Sequence, residues 1–157
     1  MSRTAYLNGE FLPLDEARVP VMDRGFLFAD GIYEVAAVLH GRLVDNAGHL
    51  ARLDRSLAEI GIRNPHTAEE WERLETDLVG KNGVREGLVY IQVTRGVAER
   101  DFSFPKGDVA PTVLMFTQEK SIVNNPMAET GARAITVPDL RWKRRDIKSV
   151  ALLAQVL

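Results

Sequence analysis

Residues 141–157, RWKRRDIKSVALLAQVL, are the most informative part of the chain for its architecture, because a basic run gives way there to an apolar one. Residues 132–137 (ARAITV), which precede them, are β-branched and apolar at alternate positions, so we predict a strand that stops at Pro138. Ser149 is a favourable N-cap. The residues after it have the spacing of a buried helix: Val150, Leu152, Leu153, Val156 and Leu157. This pattern predicts that Lys148 stands at a strand-to-helix junction.

Lys148 is the first candidate for catalysis because cations crowd it. With Asp146 as the only nearby anion, four of them precede it by a few residues: Arg141, Lys143, Arg144 and Arg145. Like charges and burial both disfavour an ammonium ion, so both favour the neutral amine that Schiff-base formation requires. The alternative is a solvated basic turn in front of a helix.

Composition limits the classes to which the protein can belong. A chain of 157 residues forms one domain or two small ones, and its 45% hydrophobic and 27% charged residues are typical of a soluble globular protein. The net charge of −2 gives no electrostatic basis for binding nucleic acid or an anionic membrane. No cysteine is present for a disulfide or a zinc thiolate site. No apolar run has the length of a signal peptide or a membrane span, so we expect a cytoplasmic protein.

The N-terminal segment is predicted to form a hairpin and then a tight connection. Asn8-Gly9 lies between short apolar runs, and this dipeptide readily supplies the two positive φ angles of a type I′ turn. Residues 23–31 come later, where glycines around two phenylalanines favour a packed connection over a phosphate loop.

Residues 32–39 (IYEVAAVL) read as a strand that turns at His40-Gly41. Its alternation puts Tyr33 and Val35 on one face and the remaining large apolar residues on the other. A tyrosine at the rim of the core, with its hydroxyl satisfied there, is the structural alternative to a functional Tyr33.

A first helix is predicted from Asn46, as its cap, to about Ile60. Its buried stripe is Leu50, Leu53, Leu57 and Ile60. Helical spacing puts Arg52 opposite this stripe, at an exposed position, and makes His49 a structural partner on the flank.

Thr67 and Glu70 form a capping box that begins a second helix, which is predicted to end at Gly83. The apolar stripe of this helix is Trp71, Leu74, Leu78 and Val79. Its acidic residues are expected to form a solvated face without chemistry: Glu69, Glu72, Glu75 and Asp77.

The two strongest strand patterns of the chain are residues 87–95 and 111–118. A long polar loop between two good strands is a common place for binding groups, and the loop 96–110 carries Arg100 and Phe102. An ordinary surface loop is the alternative. Residues 119–130 are polar, contain Asn-Asn-Pro and read as an interdomain linker.

Four motifs occur in the order and at the spacing of a known enzyme family. They are residues 23–35 (DRGFLFADGIYEV), 49–53 (HLARL), 93–105 (VTRGVAERDFSFP) and 146–153 (DIKSVALL). Together they resemble the class IV aminotransferases, which are pyridoxal-phosphate enzymes of fold type IV. The resemblance covers essentially the whole chain and is greatest to the members that act on D-amino acids.

The resemblance implies a fold and a domain organisation. We expect an α+β protein of fold type IV, with a small N-terminal α/β-sandwich-like domain at residues 1–120. An interdomain linker at residues 121–131 and the start of the larger, pyridoxal-phosphate-binding domain at residues 132–157 are expected to follow. The family's later elements, an acidic partner of the pyridine nitrogen and a phosphate-binding loop, are not among these residues. We therefore expect the chain to be the N-terminal part of a longer enzyme.

The resemblance also implies residue roles. Lys148 corresponds to the catalytic lysine that holds pyridoxal 5′-phosphate as a Schiff base, and Arg52 to the arginine that binds the cofactor phosphate. Tyr33 and Arg100 correspond to residues that bind the substrate carboxylate, and Val35 is assigned to the same substrate site. No metal is expected.

Relatives of this family are homodimers with shared active sites, which implies that Arg100 reaches into the site of the neighbouring subunit. In relatives, a histidine two residues further on completes the carboxylate trap with the tyrosine and the arginine. Phe102 stands at that position here, so one donor of the trap is missing.

The implied function is transfer of an amino group from a D-amino acid, such as D-alanine, to a 2-oxo acid, such as 2-oxoglutarate. The expected partners are these small molecules and a second subunit, with no nucleic acid and no membrane. Other class IV enzymes remain alternatives, namely a branched-chain or R-amine transaminase or aminodeoxychorismate lyase. A non-catalytic binding or assembly module is the alternative from a different class.

Overall fold

An antiparallel sheet of six strands is the centre of the computed structural model, which describes residues 3–139 and 141–156. The strands are β1 (Thr4–Leu7), β2 (Glu10–Pro13), β3 (Gly31–Leu39), β4 (Arg42–Leu43), β5 (Glu86–Thr94) and β6 (Thr112–Glu119). Their order in the sheet is β2-β1-β6-β5-β3-β4. The helices are α1 (Arg24–Phe28), α2 (Asn46–Glu59), α3 (Ala68–Asn82), α4 (Pro126–Thr130) and α5 (Leu153–Val156). The predicted helix position Leu157 lies outside the described residues, as do positions 1 and 157 of the predicted domain limits.

Both predicted hairpins are present. Asn8 and Gly9 have φ angles of 50° and 104°, and His40 and Gly41 have φ angles of 55° and 76°. Positive φ at both central residues matches the right-handed twist of the flanking strands. The Asn8 side chain also accepts a hydrogen bond of 2.8 Å from the backbone N–H of Val113, which ties the first hairpin to β6.

The hydrophobic core lies between one face of the sheet and the helices α2 and α3. The even-numbered residues of β3 face this core and are buried, whereas the odd-numbered residues from Tyr33 onward are half-buried on the opposite face. Leu53 and Leu57 of α2 and Trp71 and Leu78 of α3 are fully buried against the sheet. Burial of one such side chain contributes roughly 1.5–3 kcal/mol. The alternation predicted for residues 32–39 is therefore confirmed.

The capping box of α3 is confirmed, and the cap of α2 was wrongly predicted. The backbone N–H of Thr67 donates to Glu70 Oε2 over 2.8 Å, and the backbone N–H of Glu70 donates to Thr67 Oγ1 over 3.3 Å. The N-cap of α2 is Asp45, in the left-handed region at φ 51°, and Asn46 is the first helical residue. Asn46 has a different task, because its side chain is buried and points at α3.

Glu75 was predicted to lie on a solvated face and is instead buried, at 1% exposure. Its Oε2 atom accepts a hydrogen bond of 2.7 Å from Asn46 Nδ2, and Asn46 Oδ1 has no partner among the described residues. Burial raises the pKa of Glu75 to about 7, against the opposing effect of the Asn46 hydrogen bond. Spacing could have found this residue, since Glu75 follows Trp71 by four positions and so shares its helical face.

Two elements near the C-terminus differ from their predictions. Residues 132–137 form no strand, and Ile135 and Val137 are 87% and 70% exposed. A strand needs a neighbour for its backbone groups, and no described strand lies beside this segment. The predicted helix after Ser149 is reduced to α5, whose residues are not buried.

The connection predicted at residues 23–31 and the linker predicted at 119–130 each contain a short helix, α1 and α4. Asp23 begins α1 as its N-cap by accepting the backbone N–H of Gly25 over 2.8 Å. Among the helices of residues 3–139 and 141–156, none combines the length and the apolar character needed to span a membrane.

The buried Glu75 predicts a pH-dependent stability. Because the pKa of Glu75 is raised to about 7 in the folded protein, its contribution is full below the ordinary value near 4.5 and is lost as the pH rises through 7. Relative to Glu75→Gln, the unmodified protein should lose about 2–3 kcal/mol of unfolding free energy between about pH 5 and about pH 8. Urea unfolding at both pH values measures this difference. Glu72→Gln, an exposed change on the same helix, is the control, and equal pH profiles for both variants would contradict the prediction.

Candidate active site

Lys148 lies in an extended segment that adds to the free edge of β3, and not at a strand-to-helix junction. The backbone N–H of Tyr33 donates to the carbonyl of Lys148 over 3.0 Å, and that of Val150 donates to the carbonyl of Gly31 over 3.1 Å. Because β4 pairs only with the far end of β3, the near end has unpaired backbone groups that residues 148–150 satisfy. Local sequence pattern cannot reveal such a pairing, since its two sides are more than a hundred positions apart.

Contacts on the other side hold the same segment against α2. Ile147 is buried in the core at 5% exposure. The backbone N–H of Lys148 points at Ser56 Oγ of α2 over 3.4 Å, and the Arg55 guanidinium donates to the carbonyl of Asp146. The backbone of Lys148 is therefore fixed between β3 and α2.

The amine of Lys148 stands over an aromatic ring. Its Nζ atom lies 4.0 Å from the centre of the Tyr33 ring, and it makes no hydrogen bond or ion pair within residues 3–139 and 141–156. The side chain is half-buried. It lines a cleft of about 410 Å³ together with Tyr33, Arg52, Arg145 and residues of the following segment. The structure thus brings together three of the predicted site residues, Lys148, Arg52 and Tyr33.

The cations around Lys148 are neutralised, which corrects the expectation that Asp146 is the only nearby anion. Arg141 and Arg145 pair with Asp139 over 2.8 Å and 3.1 Å. Arg144 pairs with Asp146 over 3.0 Å and with Glu59 of α2 over 2.5 Å. The pKa of Asp139 accordingly lies far below its usual range, chiefly because of the hydrogen bonds from Arg141. Lys148 differs from these arginines in having no carboxylate partner in the described part of the chain.

Glu34 is the site residue that sequence reasoning missed. It lies on the helix-facing side of β3 at 1% exposure, and Arg52 grips its carboxylate with Nε at 2.5 Å and Nη2 at 2.8 Å. His49 Nδ1 lies 3.0 Å from the same carboxylate, which makes His49 the structural partner that was predicted. An acidic residue at a core-facing position of an alternating strand was the available signal.

The charges around Glu34 keep it ionised despite its burial. Burial alone raises the pKa of a carboxyl group, but hydrogen bonds from Arg52 and His49 and the positive charges of Arg52 and Lys148 outweigh it, so the pKa of Glu34 is lowered. Arg52 is itself 44% exposed, in agreement with its predicted position opposite the apolar stripe. Two of its nitrogens are committed to Glu34, and its Nη1 atom has no partner among the described residues.

This donor set fits pyridoxal 5′-phosphate. An aldehyde requires a primary amine, and Lys148 Nζ is unpaired in the cleft. A phosphate requires fixed cationic donors, and Arg52 is held in place by Glu34 while one of its terminal nitrogens remains uncommitted. Lys148 and Arg52 would hold the cofactor from these positions.

The sheet face that carries Tyr33 continues into a row of stacked rings. The ring centres of Tyr33 and Tyr90 are 5.8 Å apart, and those of Tyr90 and Phe116 are 4.8 Å apart. The Tyr90 hydroxyl donates to Gln92 Oε1 over 2.8 Å, and burial raises the pKa of Tyr90 to about 12. Val35 lies on this face opposite Tyr90 and does not line the Lys148 cleft.

Arg100 lies apart from the Lys148 cleft. Its guanidinium carbon is 5.3 Å from the centre of the Phe28 ring and 5.2 Å from that of Phe102, so two rings flank it. Arg100 makes no ion pair within residues 3–139 and 141–156. A larger cavity of about 680 Å³ opens beside Phe104 and Trp142, and it contains none of the predicted site residues.

Solved structures place this fold among the amino acid aminotransferases. The branched-chain amino acid aminotransferase of Escherichia coli superimposes with a TM-score of 0.73 at 16% identity, over 82% of this chain and 43% of that chain. A thermophile-type relative, the T.th. branched-chain enzyme with pyridoxamine 5′-phosphate, gives a TM-score of 0.71 at 18% identity, over 80% of this chain and 42% of that chain. The fold is therefore the α+β fold of type IV.

Sequence comparison defines the family. The family model described as Amino-transferase class IV matches residues 31–157, and the chain belongs to this family. The D-alanine aminotransferase of Staphylococcus aureus (strain MSSA476) is 43% identical over 152 residues, which are 97% of this chain and 54% of that protein. The chain thus spans about half the length of the curated relatives that it matches.

The Glu34 carboxylate predicts a measurable loss of stability when its charge is removed. Glu34→Gln keeps the shape of the side chain but removes the charge that Arg52 and His49 bind, which should cost about 1–3 kcal/mol of unfolding free energy at neutral pH. Because the pKa of Glu34 is lowered, this cost should shrink as the pH falls below the ordinary carboxyl range. Urea unfolding measures both effects. Glu10→Gln, an exposed change on β2, is the control, and a cost equal to that of the control would contradict the role of Glu34.

Proposed function

We propose that the complete protein is a pyridoxal-phosphate-dependent transaminase that moves an amino group from a D-amino acid, such as D-alanine, to a 2-oxo acid, such as 2-oxoglutarate. The observation that carries this proposal is the unpaired amine of Lys148 in a cleft lined by Arg52 and Tyr33. Membership of the class IV aminotransferases and 43% identity to a D-alanine aminotransferase support it.

In this proposal, Lys148 and Arg52 bind the cofactor. When bound, pyridoxal 5′-phosphate supplies an aldehyde for amines and a ring that accepts electrons from a substrate bond. Lys148 Nζ holds the aldehyde end, and Arg52 binds the phosphate while Glu34 keeps its guanidinium in place. The presence of pyridoxamine 5′-phosphate in the T.th. relative supports this assignment.

Lys148 is also the proposed acid and base. Its Nζ atom, once free as a neutral amine, takes the proton from Cα of the amino acid and later returns a proton. Proton transfer requires a fixed base, and the backbone bonds to Tyr33 and the contact with Ser56 limit the movement of the Lys148 main chain. The Tyr33 ring beneath Nζ limits the directions that the amine can take.

Tyr33, Val35 and Arg100 are the proposed substrate-binding residues. Tyr33 and Arg100 bind the α-carboxylate, and Val35 borders the substrate on the same sheet face as Tyr33. Within this chain, Arg100 does not line the cleft of Lys148, which supports a homodimer in which each Arg100 serves the active site of the other subunit. With Phe102 in place of a third donor, the carboxylate depends on Tyr33 and Arg100 alone.

The proposed organisation of the complete enzyme follows the family. Residues 1–120 form the small domain, residues 121–131 the linker, and residues 132–157 the start of the larger domain, in a protein of the cytoplasm. The segment that contains Lys148 packs on β3 and α2 of the small domain, so the proposed site lies where the two domains meet.

The proposal predicts an activity and a site of attachment. Full-length protein should form pyruvate from D-alanine and 2-oxoglutarate, and borohydride treatment should leave a phosphopyridoxyl group on the peptide that contains Lys148. Lys148→Ala should lose turnover by several orders of magnitude, because no other amine is placed to replace it. Assay of pyruvate and mass spectrometry of the peptide measure the two outcomes.

Lys143→Ala, which removes an exposed lysine from the same segment, is the matched control and should keep both the activity and the attachment. Attachment without transamination would favour another class IV chemistry, such as a lyase. Protein that binds no cofactor would favour a non-catalytic module.

Arg100 predicts a discrimination between substrates. Arg100→Ala should raise KM for D-amino acids about 10–100-fold, because a charge-assisted bond to the carboxylate is lost. KM for a simple primary amine, which has no carboxylate, should hardly change. Steady-state kinetics with both kinds of donor test this. Lys106→Ala, an exposed change in the same loop, is the control, and equal increases for both donors in Arg100→Ala would contradict carboxylate binding.

A further inference from the structure

Arg24 is a buried cation that the proposed mechanism does not use. It is the first residue of α1 and only 3% exposed. A buried guanidinium is costly unless its charge and its N–H groups are satisfied. Its Nε atom donates to Asp30 Oδ2 over 2.8 Å, which satisfies the charge.

The remaining donors of Arg24 are directed at the loop that carries Arg100. Its Nη1 atom donates to the carbonyl of Asp101 over 2.9 Å and lies 3.5 Å from that of Ser103. Its backbone N–H donates to the carbonyl of Gly96 over 2.9 Å. Arg24 therefore holds the loop 96–110 at its beginning and again directly after Arg100.

The anchor itself is rigid. Asp30 is bound a second time by Arg95, with Nε at 2.7 Å and Nη2 at 3.0 Å, and Arg95 Nη2 donates to the carbonyl of Ile60 over 2.7 Å. The two ends of the loop also meet closely, since Gly96 has φ 96° and a Cβ atom there would collide with the carbonyl of Ala110. The loop thus leaves the sheet from a fixed base.

A shared aromatic ring connects Arg24 to Arg100. The Arg24 guanidinium lies 4.6 Å from the centre of the Phe28 ring, and the Arg100 guanidinium lies 5.3 Å from the same centre. Both cations are attracted to the electron-rich ring. Arg24 consequently limits Arg100 in two ways, through the backbone that follows it and through the ring beside it.

We propose that Arg24 is a positioning residue for Arg100: it anchors the loop 96–110 so that the Arg100 guanidinium is presented in one orientation to an incoming carboxylate. The role of Arg100 in this inference rests on the proposed function, whereas the anchoring of the loop does not. A lysine could pair with Asp30, but its single nitrogen cannot also occupy the position that bonds the Asp101 carbonyl.

The test compares Arg24→Lys with Arg18→Lys in the full-length protein. Arg18 is an exposed arginine of the preceding segment that donates only to the nearby carbonyls of Asp15 and Ala17, so the same chemical change there should have no effect. In Arg24→Lys, we expect about tenfold faster tryptic cleavage after Arg100, since a bond to the loop backbone is lost. Cleavage after Lys81, which lies within α3, should be unchanged and separates local loosening from global unfolding.

Kinetics separate positioning from a merely structural role. KM for D-alanine should rise about tenfold in Arg24→Lys, which corresponds to one lost hydrogen bond, whereas KM for a simple primary amine should stay unchanged. In an Arg100→Ala background, Arg24→Lys should add no further increase, because its effect passes through Arg100. Phe28→Leu, which leaves the Arg24–Asp30 pair intact, should give a smaller rise of the same selectivity.

Each outcome decides one of the two hypotheses. Unchanged cleavage after Arg100 in Arg24→Lys would overturn the anchoring, and an additive KM effect in the double variant would overturn the positioning of Arg100. Absence of turnover in the unmodified protein would overturn the proposed function, and the cleavage rates would still decide whether Arg24 anchors the loop.

Discussion

The buried carboxylate of Glu34 is the interaction on which the candidate site depends. It fixes Arg52 and His49 of α2 to β3, and the positive charge of Lys148 adds to the field that keeps it ionised. An ion pair with one buried partner rarely adds much net stability, because desolvation offsets most of the attraction. Its value here is geometric, since it sets the position of the arginine relative to the strand that bears Tyr33 and to the lysine at that strand's edge.

Much of the fold could be predicted from the sequence because it is specified locally. The alternation of residues 32–39, the capping box of Thr67 and Glu70 and the Asn8-Gly9 turn are all rules that act over a few positions, and the structure confirms each. Motif resemblance added the family, which the comparison with known sequences confirms.

The elements that were wrongly predicted depend on distant partners. Asn46 and Glu75 satisfy one another across two helices, and neither shows this need in its own segment. Residues 148–150 resemble the start of a helix, but the unpaired edge of β3 offers their backbone a better arrangement. Glu34 could be recognised as unusual from the strand pattern, whereas its partners Arg52 and His49 are visible only when α2 lies on the sheet.

The stacked rings of Tyr33, Tyr90 and Phe116 have a consequence for assembly of the sheet. A strand that slips by one position exchanges its two faces. Such a slip of β5 would drive Tyr90 and Gln92 into the hydrocarbon interior and push Val89 and Ile91 out into water. The aromatic column therefore acts as a proofreading device, because only the native alignment of the three strands lets the rings meet and keeps both polar groups hydrated.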